Sequence, residues 1–195
     1  MRALADLIDR VNKSVGRTVM WFALFIVLIQ FVVVVMRYVF GIGSIFAQES
    51  ITYLHGFLFM LAAAYTLLID GHVRVDIFYR DAHPRKKAMV NLLGAFILLI
   101  PVCLLIFWTS FPYVMASWAT LEGSPETSGI QARYIHKTAI LAFAMMMALQ
   151  GISIAIRSLL ALGGDEMEIE KLRMSAELPE LREQRNEEMR FGGQN

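Results

Sequence analysis

Four apolar stretches, each long enough to cross a bilayer, leave this chain almost no room for any other architecture. They cover residues 19–36, 47–69, 88–107 and 138–162, and a spanning helix needs only about 20 largely apolar residues. The 57% hydrophobic content exceeds the roughly 45–50% of soluble domains, and 195 residues suffice for one bundle. The expected fold is all-α: a polytopic membrane protein whose four transmembrane helices form one domain over residues 18–162.

Charge sets the expected orientation. Four basic residues precede the first span (Arg2, Arg10, Lys13, Arg17), and one, Arg37, follows it. Five lie between the second and third spans (Arg74, Arg80, Arg85, Lys86, Lys87), two between the third and fourth (Arg133, Lys137), and six from Arg157 onward. This alternation is what the positive-inside bias produces, so both termini are expected in the cytoplasm. The net charge of +1 is uninformative about nucleic acid, and the expected surroundings are a lipid bilayer. A cleavable signal peptide would need a shorter apolar core and an Ala-x-Ala site, so the first span is read as retained.

The two ends differ from the middle. In residues 1–17, Leu4, Leu7, Ile8, Val11 and Val15 recur at spacings of three and four between charged residues, the pattern of an amphipathic helix lying on the inner membrane surface. Residues 163–195 are strongly polar, with nine acids against five bases, and read as a charged cytoplasmic tail.

Within the spans, small residues should mark helix contacts, because lipid provides no hydrophobic drive for association. Ala144, Ala148, Gly151 and Ala155 form such a seam. Gln150 beside it, and Gln30 in the first span, are expected near mid-bilayer, where an amide needs a hydrogen-bonding partner. Pro84 suits the first turn of a helix, while Pro101 should kink the third span and Pro112 kink or end it. Trp108, Phe111, Tyr113 and Trp118 fall where an outer aromatic belt belongs. Cys103 reads as a packing residue.

Ionisable residues at membrane depth are functional candidates. Glu49 stands at the outer end of the second span. At its inner end lie His72, Arg74 and Asp76, with His72 and Asp76 expected on one helical face and Asp76 within reach of Arg80. The sequence has no glycine-rich phosphate loop, no Cys or His cluster with metal spacing and no nucleophile with a matched base. Neither an enzyme nor a cofactor site is expected. A haem-anchoring subunit remains a rival reading, although of four His only His55 is clearly intramembrane and haem needs facing ligands. A self-sufficient small homo-oligomeric channel or exporter is another, although the chain is short for a complete transporter.

The stretch from Glu49 to Asp76, closing with Gly71-His72-Val73-Arg74-Val75-Asp76, resembles the small, DctQ-type membrane subunit of tripartite ATP-independent periplasmic (TRAP) transporters. A second stretch, Glu122-Gly123-Ser124-Pro125-Glu126-Thr127-Ser128-Gly129, with Arg133, Lys137 and Leu149-Gln150-Gly151 after it, resembles the mannitol or chloroaromatic subgroup. Together they cover most of residues 15–160; Ala47 departs from the Trp often found there. The resemblance implies a bacterial inner-membrane scaffold that binds no substrate itself. Its implied partners are a large membrane subunit with the substrate and sodium sites and a periplasmic binding protein that delivers an organic acid. It makes Arg37, Glu49, His72, Arg74, Asp76 and Gln150 candidate contact residues, and Glu122 and Glu126 a candidate outer docking loop.

Overall fold

The computed structural model describes residues 1–72, 79 and 82–174. The described chain is helical: α1 (Arg2–Val19), α2 (Trp21–Phe40), α3 (Ile45–Leu68), α4 (Pro84–Leu93), a π-helical segment (Gly94–Leu99), α5 (Ile100–Ala119), α6 (Arg133–Leu162) and α7 (Glu166–Met174). Among the described residues, four runs are long and apolar enough to cross a membrane: Arg2–Phe40, Ile45–Leu68, Pro84–Ala119 and Arg133–Leu162.

The first run is one helical path. Met20 between α1 and α2 keeps right-handed helical angles, and its N–H still donates to Gly16 O at 3.0 Å. Thirty-nine residues rise about 58 Å, nearly twice the roughly 30 Å hydrocarbon core. The charges of this run lie in α1 and at Arg37, so the uncharged stretch that suits hydrocarbon begins at α2. Gly41 ends α2 with φ of 69°, the left-handed cap that glycine adopts without steric cost. Ser44 then caps α3, its hydroxyl accepting from Ala47 N–H at 3.3 Å.

α6 is the central helix and packs on α1, α3, α4 and α5. The small-residue seam explains why: Ala144, Gly151 and Ala155 are buried, joined by Ala139, Ser153, Ser158 and Ala161. At Gly151 an added Cβ would come within 3.0 Å of Leu99 Cδ2 and 3.1 Å of Ile100 Cγ1. Close backbone approach takes the place of the hydrophobic drive that lipid cannot give.

The third helix runs from Pro84 through both later prolines to Ala119. Pro101 has no N–H and its ring crowds the carbonyl four residues back. The backbone responds by changing register just before it, with Ile100 N–H donating to Ala95 O, five residues back. Such π turns are a known way for a helix to absorb a local conflict. Pro112 does not end α5.

α3 stops at Leu68. Gly71 N–H donates to Thr66 O at 2.8 Å while Asp70 takes φ of 62°, a Schellman-type closure. His72 therefore lies in an exposed bend after the helix. The expectation that it occupies a helical face is corrected, because the left-handed Asp70 breaks the helical path before reaching it. Arg74, Asp76 and Arg80 lie outside the described residues.

Candidate functional site

Two polar junctions sit at opposite ends of the bundle. One gathers around the loop of residues 120–132; the other lies where α1, α6 and α7 converge.

At the loop end, α5 terminates with Leu121 in the left-handed region and Glu122 N–H bonded to Ser117 O at 3.0 Å. This turn aims the Glu122 carboxylate back into the bundle. There it accepts from Ser117 Oγ at 2.7 Å and from Lys137 Nζ, with Arg133 4.0 Å away. The Lys137 ammonium, with Ser117 adding to it, holds Glu122 below its ordinary carboxylate range. Lys137 also lies 4.0 Å from the centre of the Tyr113 ring, within cation–π range.

The far side of the loop is held by Glu49 on α3. Its carboxylate accepts from Ser124 Oγ and from Ile130 N–H, the latter at 2.6 Å. A Cβ on Gly129 would fall 2.6 Å from Glu49 Oε2, so a larger residue there would push the carboxylate aside. Below it, His136 stacks on Tyr53 with ring centres 4.6 Å apart and meets Phe57 edge-on at 5.5 Å. Trp118 Nε1 donates to Thr138 Oγ1 at 2.8 Å. A cleft of 390 Å³, lined in part by Gly56, Tyr113, Arg133, His136 and Lys137, opens among these groups.

Glu122 and Glu126, read together as a docking loop, thus have different surroundings. Glu122 is half-buried and structural in its contacts, whereas Glu126 is exposed. Glu49 is likewise half-buried and ties the loop to α3.

The other junction is built on Arg157. Its guanidinium donates to Asp9 Oδ2 from Nε at 3.0 Å and from Nη2 at 2.6 Å, to Asp6 at 2.7 Å and to Glu168 at 2.8 Å. Asp9 also accepts from Ser153 Oγ at 2.7 Å and Gln150 Nε2 at 3.1 Å, and Gln150 Oε1 accepts from Asn12 Nδ2 at 2.7 Å. Asn12, Gln150 and Ser153 are fully buried, and each has a partner, as a buried polar network requires. Arg2 pairs with Asp165, and Lys171 with Glu168 at 2.9 Å.

Gln150 is therefore an interhelical amide. Its partner Asn12 is one turn from Gly16, and Gly16 packs directly on Tyr65 in the last turn of α3, where an added Cβ would sit 2.4 Å from Tyr65 Cβ. Gln150 lies level with the end of α3. Asp9, Asn12, Ser153 and Arg157 were not among the sequence candidates. The available signal was a second stripe on α1, Ala5, Ile8, Asn12, Gly16 and Val19, all buried, whose small and polar members hydropathy overlooks.

The remaining candidates lie apart from both junctions. Arg37 is exposed near the end of α2 and forms no ion pair among the described residues. His55, the histidine weighed as a haem ligand, is exposed beside Phe59, 6.4 Å between ring centres.

A family model described as "Tripartite ATP-independent periplasmic transporters, DctQ component" matches residues 8–161. Neither a curated protein nor a solved structure matches the chain.

Proposed function

Since the chain belongs to the DctQ components of the tripartite ATP-independent periplasmic transporters, we propose that it is the fixed scaffold on which the large membrane subunit is seated through α2. The transporter is a secondary, sodium-coupled importer of an organic acid delivered by a periplasmic binding protein, and this chain holds no substrate site of its own. It lies in the bacterial inner membrane with both termini cytoplasmic, so the Arg157 junction is the inner one. The Glu126 side of the 120–132 loop contributes to docking of the binding protein. The likeness of that loop to the mannitol or chloroaromatic subgroup describes the docking surface, not the solute.

The observation that carries the seating role is α2 itself. None of its residues is buried. It packs on α3 with its Phe22, Ile26, Ile29, Val33 and Met36 side, where exposure is only partial. A quarter-turn round the helix, Gln30 stands midway along α2, exposed and with no side-chain hydrogen bond among the described residues. Arg37 follows two turns later on the same face. An amide without a partner in hydrocarbon is costly, and polar side chains there commonly bond to another transmembrane helix. A helix of the large subunit meets that need. The inner Arg157 network and the pinned outer loop fit the same role, because a platform that resists the movement of a carrier needs both ends braced.

The test is a photocrosslinker, p-benzoylphenylalanine, placed at Gln30 or Val27 in native membranes. The expected product is an adduct of this chain with a large polytopic subunit. An adduct at twice the mass of this chain would replace the scaffold reading with a homo-oligomer, and crosslinking to lipid alone would remove α2 as the seat.

A further inference from the structure

We propose that the junction of α1 and α2 binds the headgroup of an anionic phospholipid in the inner leaflet. On an isolated helix, Asp6 would pair with Arg10 and Asp9 with Lys13, each acid four residues N-terminal to its base, the favourable order for such pairs. The fold prevents this by turning both acids toward Arg157. Arg10, Lys13 and Arg17 are left exposed, and none of them forms an ion pair among the described residues.

These cations do not point in unrelated directions. With Ser14, Thr18 and Trp21 they line one groove of 540 Å³. Because Met20 keeps the helical path unbroken, the stripe of residues 10, 14, 17, 21, 24 and 28 runs continuously along one side of the helix at alternating spacings of four and three. Its first half is basic and hydroxylic. Its second half is Trp21, Leu24 and Leu28, all exposed at 47–64%. A stripe that is cationic over two turns and apolar over the next two matches a phosphodiester followed by an acyl chain, with Trp21 at the boundary that tryptophan favours in membranes.

That continuity favours a lipid over a soluble anion, which has nothing to place on Leu24 and Leu28. It also separates this stripe from the Gln30 and Arg37 face, which points to a different side of α2, so loss of subunit seating and loss of lipid binding are distinguishable. The placement in the inner leaflet rests on the proposed orientation.

The experiment uses the full chain in its complex with the large subunit, purified in a neutral detergent and titrated with dioleoylphosphatidylglycerol, dioleoylphosphatidylcholine or inorganic phosphate, with bound lipid counted by native mass spectrometry. Each juxtamembrane cation contributes about fivefold to anionic-lipid affinity. The expected result is a preference for phosphatidylglycerol of about a hundredfold that collapses in the Arg10→Gln, Lys13→Gln, Arg17→Gln triple variant, with phosphatidylcholine binding unchanged. Should the triple variant fail to assemble, Arg17→Gln alone decides, with about a fivefold loss expected. Equal binding of the two lipids, a preference that survives these substitutions, or displacement of the lipid by millimolar inorganic phosphate would overturn the proposal.

Discussion

Replacing Asp9 by alanine removes the acceptor shared by four hydrogen bonds, two from Arg157 and one each from Ser153 and Gln150. The full cost of breaking a buried ion pair, about 3–5 kcal/mol, is not expected, because Arg157 keeps Asp6 and Glu168. Ser153 keeps Ala5 O at 3.4 Å, so its share is small. The Gln150 amide loses one acceptor in a dry site, and Arg157 loses two charge-assisted bonds, together about 3 kcal/mol. Nearly all of that falls on the docking of α1, since the other ends of these bonds belong to α6. The readout is amide hydrogen exchange in detergent or nanodiscs. Protection across residues 5–16 should drop about a hundredfold, the equivalent of about 3 kcal/mol, while the amides of residues 139–147 in α6 hold their rates. A double-mutant cycle with Arg157→Ala should show strong non-additivity. Unchanged exchange in α1, or strictly additive effects, would mean that the network does not hold α1 to the bundle.

Gly16→Ala places a Cβ 2.4 Å from both Cβ and Cγ of Tyr65, atoms that cannot swing away, so α1 and α3 must separate. The expected loss is about 1–3 kcal/mol, read as a lower thermal midpoint of the purified complex, and Tyr65→Ala should rescue part of it. Glu49→Ala releases Ser124 Oγ and Ile130 N–H together; proteolysis within residues 120–132 should accelerate at least tenfold, whereas Glu126→Ala should leave it unchanged. Glu122 titrates below its ordinary range because of Lys137 and Ser117. Its contribution is therefore complete above the ordinary glutamate pKa and disappears as pH falls through the lowered folded value, so protection of the loop should be level at neutral pH and decline on acidification. Glu122→Gln should flatten that decline.

The bundle was legible because hydropathy over about 20 residues is a strong signal, and the seam of Ala144, Gly151 and Ala155 was legible because small residues at helical spacing have few other uses in a membrane. The Arg157 junction was not. Leu4, Leu7, Ile8, Val11 and Val15 read as one apolar face on α1, yet only Leu4, Leu7 and Val11 of these are exposed; Ile8 is buried in the protein-facing stripe with Ala5, Asn12, Gly16 and Val19, whose members Ala5, Asn12 and Gly16 carry little hydropathy of either sign. Pro101 reads as a kink because local sequence shows the missing N–H, but not the change of register between Ala95 and Ile100 that accommodates it. Glu122 looks like an exposed loop acid until Leu121 turns left-handed and directs it onto Lys137, a contact between elements that spacing alone cannot reveal.

The claim that this chain is a scaffold seated on a larger subunit is tested most directly by tagging it in its native membrane, solubilising gently and identifying by mass spectrometry what is recovered in stoichiometric amount. A large polytopic permease is the predicted partner, with its recovery reduced by Gln30→Leu. Recovery of this chain alone, or only with further copies of itself, would contradict the claim.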